Sequence, residues 1–200
     1  MKRYKQTEIN ELAEILKNDG VISVPTDTVY GVCARMNSKK AHDNLMQVKK
    51  RPIEKTFPIM CADKEQIKSI AIVDEKAEKI IKKFMPGPIT LILNKKDDIP
   101  TYVNNGRKTI AVRMASSKVL KELIQKTGCP LFMSSANQSG EPTCASLDEI
   151  EKSCPTLNGM MEGNVSFNIS STIVDCTLDN IRILRNGPIS IEQIETALKK

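Results

Sequence analysis

Residues 21–31 read VISVPTDTVYG. The β-branched run Val21 to Val24 makes a short strand, and Pro25, which has no N–H for a ladder, ends it. Thr26-Asp27-Thr28 then forms a polar loop straight after a buried strand, the place where a sheet delivers side chains to a site. The plain alternative is a tight turn in which Thr26 and Asp27 only cap the chain.

Working outward, Ile9, Leu12, Ala13 and Leu16 follow helical spacing behind Thr7 as N-cap, with Gly20 as the stop. A second helix starts at Ser38, places Ala41, Leu45 and Val48 on one face, and carries Lys49, Lys50 and Arg51 at its C-terminal end, where cations suit the helix dipole. An extended segment runs from Phe57 to Cys61. Helical patterns begin at Asp63 and at Asp74, the latter aligning Ala77, Ile80, Ile81 and Phe84. Ile89–Leu93 and Thr109–Met114 read as buried strands, and Val119, Leu120, Leu123 and Ile124 as a helix stopped by Gly128.

A short strand at Leu131–Met133 leads into Ser134–Ala145, a Ser-, Gly- and Pro-rich loop long enough to be functional. A capping box at Ser146 and Glu149 opens the next helix, two strands follow at Thr172–Val174 and Ile181–Leu184, and a second box at Ser190 and Gln193 opens a terminal helix. Strand and helix alternate throughout, which predicts a layered α/β (α+β) domain with a twisted mixed sheet.

The 200 residues fit one domain, residues 1–200, better than two small ones. Hydrophobic residues are 40% and charged residues 27%, ordinary proportions that exclude wholesale disorder. Glu8, Glu11 and Glu14 stand where a signal peptide needs an apolar core, and no stretch is long enough for a membrane span, so a cytoplasmic protein is expected. Cys33, Cys61, Cys129, Cys144, Cys154 and Cys176 never form a C-x-x-C pair, so no metal ligands are assigned and the thiols are read as buried. Asn-x-Ser matches at Asn137, Asn164 and Asn168 are chance sequons in an unexported chain. Net charge is +6 and the pI near 9.0, a balance that favours anionic partners and is equally that of a lysine-rich surface.

No G-x-x-x-x-G-K-[ST] loop and no G-x-G-x-x-G turn occurs, so a nucleotide site must be built another way. The one histidine, His42, sits in a lysine-rich helix and is read as a surface residue, which leaves histidine-based catalysis unsupported. Four polar sets remain among the apolar strands: Thr26 to Gly31; Lys49, Arg51 and Lys55; Ser134 to Gly140, whose hydroxyls and amides could cradle phosphates; and Arg113, Ser171 and Arg185 at strand ends. Taken singly, a tight turn explains the first set, a solvated basic face the second and a surface ion pair the last.

Taken together, P-T-D-T-V-Y-G at 25–31, K-x-R at 49–51, S-A-N-x-S-G at 135–140, S-T-I-V-D at 171–175 and I-L-R-x-G at 183–187 resemble the YrdC-type threonylcarbamoyl-AMP synthase family in order and spacing. The resemblance implies a YrdC/RibB-like α/β domain with a basic concave cavity. It also implies an L-threonylcarbamoyladenylate synthase that takes L-threonine, bicarbonate and ATP with Mg2+ and releases pyrophosphate. A partner complex then moves the threonylcarbamoyl group to adenosine 37 of ANN-decoding tRNAs. By motif position Tyr30, Arg113 and Ser171 would hold threonine, Arg113 on its carboxylate. Lys49, Arg51, Lys55, Thr109, Ser135, Asn137 and Arg185 would hold the nucleotide, Lys49 and Arg51 as the catalytic cations, with Thr28 and Thr143 as further neighbours. Two positions depart from the family pattern: Met60 stands where longer relatives often have histidine, and Lys50 where glycine is frequent.

The rival reading is a non-enzymatic module gripping double-stranded RNA or tRNA by its phosphates. Stacking on single strands is disfavoured, because aromatic residues are only 4% with no Trp. Carbamoyl transfer from carbamoyl phosphate, as in related hydrogenase-maturation proteins, would need further domains.

Overall fold

Periodicity along the chain becomes layering in the computed structural model, which describes residues 1–114, 116–166 and 169–199. Among these residues the strands are β1 (Arg3–Tyr4), β2 (Ile22–Val24), β3 (Gly31–Arg35), β4 (Ile59–Met60), β5 (Ala71–Ile72), β6 (Ile89–Lys95), β7 (Thr109–Arg113), β8 (Leu131–Ser135), β9 (Gly159–Met161), β10 (Thr172–Asp175) and β11 (Arg182–Arg185). The helices are α1 (Ile9–Lys17), α2 (Lys39–Lys49), α3 (Lys64–Ile70), α4 (Glu75–Phe84), α5 (Lys118–Thr127), α6 (Leu147–Ser153) and α7 (Ile191–Leu198). The Asn168 sequon falls outside the described residues.

All the strands join one mixed sheet in the order β1-β9-β2-β3-β8-β4-β7-β6-β10-β11, with β5 added beside β6. Parallel pairs (β1 with β9, β2 with β9, β4 with β7, β6 with β10) are mixed with antiparallel ones, as expected from the sequence. Strand side chains alternate between faces. Ile59 and Phe132 feed the larger core with Val32 and Ala34, while Met60, Met133 and Cys33 feed a second one. The apolar stripes of α2, α3, α4, α6 and α7 cover the first face, whereas the second is covered by α1 and α5, which pack on each other.

That second cover is incomplete, and the gap positions the site. The second core draws on β1, β2, β3, β4, β8 and β9 but takes nothing from β6, β7, β10 or β11. There the same face carries Thr90, Ala111, Arg113 and Ile173 and lies open.

Helix starts follow the sequence signals. Ser38, Asp63, Asp74, Ser117, Ser146 and Ser190 each accept a hydrogen bond from the backbone N–H three residues on, worth about 1 kcal/mol apiece. Gln193 completes its box, but Glu149 reaches the Ala145 N–H at 2.8 Å instead of that of Ser146. Thr7 is not the cap of α1, since a 3-10 turn at Gln6–Glu8 leads into it.

His42 corrects the sequence reading. It is 8% exposed, with its ring 5.1 Å from Phe132 and 5.8 Å from Phe57 in edge-on contacts. It follows Ala41 on the inner side of α2, so the lysines around it point outward while the imidazole faces the aromatic core.

Candidate functional site

A cavity of about 350 Å3 occupies the uncovered half of the sheet, within the usual range for a small-molecule site. Arg51, Arg113 and Arg185 line it together with Thr26, Thr28, Thr56, Thr90, Ser134, Ser135, Ser170 and Ser171, and no carboxylate is among its lining residues. Met60, Met133, Ile173 and Gly31 supply its apolar floor. A larger, shallower concavity of about 730 Å3 lies beside α1 and contains Glu11 and Glu14 but no basic side chain, so it repels the anions the first one attracts.

Each arginine is held by a different element. Arg113, at the end of β7, is 7% exposed and donates to Asp27, to Thr28 Oγ1 at 3.0 Å and to the Gly87 carbonyl at 3.2 Å. Arg185 ends β11 and clasps Ser171 twice, at its carbonyl (2.9 Å) and at its Oγ (3.0 Å); Ser171 Oγ also lies 2.8 Å from Thr90 Oγ1. Arg51 leaves α2, donates to the carbonyls of Lys55 (3.0 Å) and Thr56 (2.6 Å), and stacks over the Phe57 ring at 4.5 Å. Burial lowers the pKa of all three, and for Arg113 the nearby Arg185 lowers it further against the opposing pull of Asp27. An anion in the cavity would relieve this crowding of positive charge.

Lys49 takes another position. It is 1% exposed and lies outside the cavity lining, where its ammonium donates to the Ser135 carbonyl at 2.5 Å and to Asn137 Oδ1 at 3.1 Å. Desolvation pulls its pKa down to about 8, with Arg51 adding to the effect and Cys154 opposing it. Asn137 is fully engaged: its Oδ1 also accepts from Ser135 Oγ at 2.6 Å, and its Nδ2 donates to the carbonyls of Gln138 and Glu141. Lys49 and Asn137 thus brace the 134–140 loop from beneath while Ser134 and Ser135 present it to the cavity.

The remaining expected residues divide. Tyr30 lies outside the lining, as strand alternation explains: with Val32 and Ala34 it belongs to the larger core and its hydroxyl donates to the Gly163 carbonyl, while Gly31 faces the cavity. Thr109 shares the cavity face of β7 but lies beyond its lining, and Lys55 and Thr143 are exposed outside it. Met60, 3% exposed, forms part of the floor. Sequence reasoning missed Thr90 and Asp27 as neighbours of these groups. A lone threonine between Ile89 and Leu91 was a usable signal for the first. The Asp27–Arg113 contact spans 86 positions and has none.

Among the described residues no group of three or more His, Cys, Asp or Glu side chains is arranged to hold a metal ion. No helix there is long and apolar enough to cross a membrane. All six cysteines are buried, free thiols.

A family model, Sua5_yciO_yrdC, described as telomere recombination, matches residues 14–187. The chain is 30% identical over 98% of its length to the threonylcarbamoyl-AMP synthase of Pyrococcus abyssi. It is 31% identical over 96% of its length to the threonylcarbamoyl-AMP synthase of Bacillus subtilis. It spans 59% and 56% of those two proteins. The crystal structure of P. abyssi Sua5 complexed with L-threonine superposes with a TM-score of 0.92 at 28% identity, over 98% of this chain and 60% of that one.

Proposed function

Because the chain belongs to the Sua5, YciO and YrdC family, we propose that it is an L-threonylcarbamoyladenylate synthase, joining L-threonine, bicarbonate and ATP into threonylcarbamoyl-AMP and pyrophosphate. The observation that carries this reading is the cavity itself: three arginines meet a hydroxyl-rich loop on a sheet face, with no carboxylate among the lining residues. The names of the relatives and the threonine-bound neighbour support it.

The chemistry needs such an inventory. The amine of threonine condenses with bicarbonate to a carbamate, with loss of water. A carbamate oxygen then attacks the α-phosphorus, and the bond from that phosphorus to the α,β-bridging oxygen breaks to release pyrophosphate. Both reactants are anions, so fixed cations must offset their repulsion and the charge that develops in the transition state. Arg51 and Arg185 serve the triphosphate, the loop braced by Lys49 offers Ser135 and backbone N–H groups to it, and Arg113 with Ser171 takes the amino acid. Magnesium would arrive as the nucleotide chelate, held by phosphate oxygens, since the lining lacks the carboxylates that bind a hard cation.

The reading extends to a cytoplasmic protein whose product passes to a complex that modifies adenosine 37 of ANN-decoding tRNAs. Pyrophosphate release tests it: release that needs ATP, bicarbonate and L-threonine together supports the assignment, and ATP turnover indifferent to threonine contradicts it.

A further inference from the structure

Asp27 has no part in the contacts just assigned, yet it is the acid against which a cavity arginine is set. It is 6% exposed, Arg113 binds one of its oxygens, and the other is buried with no partner among the described residues. A buried carboxylate oxygen left unpaired works against stability, so packing alone is a poor reason for this acid.

The guanidinium of Arg113 is fixed on three sides. Asp27 takes a proton of Nη2, Thr28 Oγ1 takes one of Nη1 at 3.0 Å, and the Gly87 carbonyl takes that of Nε at 3.2 Å. Thr28 is itself pinned by Thr26 Oγ1, 3.0 Å away, which bonds the Val29 carbonyl at 2.6 Å. Arginine has five N–H donors in a rigid fork. Three are committed, which leaves one on each terminal nitrogen of a side chain that lines the cavity. Two parallel donors match a carboxylate.

We propose that Asp27, with Thr28, is a positioning residue that aims the free fork of Arg113 at the carboxylate of the amino-acid substrate. The inference rests on the synthase reading, and it adds the means by which the chain recognises an α-amino acid. Aim and charge pull in opposite directions here. Removing Asp27 makes the cavity more positive, so charge alone would tighten binding of an anionic carboxylate, whereas loss of aim weakens it.

The experiment is calorimetric titration of the full chain with L-threonine and, separately, with magnesium ATP, for the unaltered protein, Asp27→Ala, Arg113→Ala and the double variant. The expected result is an L-threonine Kd raised about tenfold or more by Asp27→Ala, with the ATP Kd unchanged within about twofold and no further loss in the Arg113→Ala background. An unchanged or tighter threonine Kd, equal loss of both ligands, or additive losses would overturn the proposal. Should Asp27→Ala not fold, Thr28→Val removes the second anchor and keeps the ion pair; a threonine Kd unmoved by it is equally contrary. If the unaltered chain binds ATP but no L-threonine, the synthase reading itself fails and this inference with it.

Discussion

The ammonium of Lys49 lies 2.5 Å from the main-chain carbonyl of Ser135, so the last residue of α2 supports the loop that follows β8. Of three consecutive basic residues, Lys49 is buried, Lys50 exposed and Arg51 at the cavity wall. A basic run read as one patch is thus three side chains with three environments.

Lys49 makes nucleotide binding pH-dependent in a defined direction. Its pKa is about 8 in the folded chain against the ordinary 10.5. Between those values the unfolded chain holds more protons, so this group makes stability rise with pH in that window. ATP affinity moves the other way, because the charge facing the loop is lost: a decline approaching about tenfold per unit above pH 8 is expected. Calorimetric titrations of ATP from pH 7 to 10 should show this decline in the unaltered protein and a flat profile in Lys49→Met. Equal slopes in both would remove Lys49 from the nucleotide site.

Arg51 joins a packing function to a charge. Its fork spans the Lys55 and Thr56 carbonyls and its plane lies on Phe57. Arg51→Ala should lower pyrophosphate formation roughly a hundredfold, and Arg51→Lys should restore little, since a point charge cannot bridge two carbonyls and stack. Initial rates for both variants check this, and full activity in Arg51→Lys would be contrary.

Lys50, the departure from the glycine frequent in the family, is the C-cap of α2 at φ 44° and ψ 45°, in the left-handed region. A side chain there carries strain that glycine avoids. Lys50→Gly should therefore stabilise the protein by about 1 kcal/mol, measured by urea unfolding, with catalysis unaffected. A loss of stability would show that the lysine side chain contributes more than its backbone strain costs.

Gly187 ends the last motif because nothing larger fits. A Cβ there would lie 2.3 Å from the Thr172 backbone N and 2.6 Å from the Ser170 carbonyl oxygen. Gly187→Ala must push the 170–172 segment, and Ser171 with it, costing about 1–3 kcal/mol and raising the KM for threonine. Denaturant midpoints and threonine saturation curves are the readouts, and neither moving would refute the close approach.

Long periodic elements were legible because burial writes period 3.6 or period 2 into the chain, as in α4, α5 and β6. The strands β1, β5 and β9 have two or three residues and were invisible, since so short a run carries no period. β3 was missed because Gly31 and Ala34 have little strand preference, and it forms through pairing with β2 and β8. Arg113 and Arg185 were visible as charges at strand ends, and Arg51 as part of the basic run that closes α2. The core-facing side of Tyr30 was not legible because motif position says nothing about which face of a strand a ring occupies, and the latch on Arg113 was not because tertiary contacts across 86 residues leave no local trace.

The most direct measurement supplies the chain with magnesium ATP, L-threonine and carbon-13 bicarbonate and identifies the products by mass spectrometry. The expected result is an adenylate that contains both threonine and the labelled carbon, formed in step with pyrophosphate and lost when any substrate is omitted. Threonyl-AMP without the label, or no adenylate from a protein that binds both ligands, would contradict the assignment.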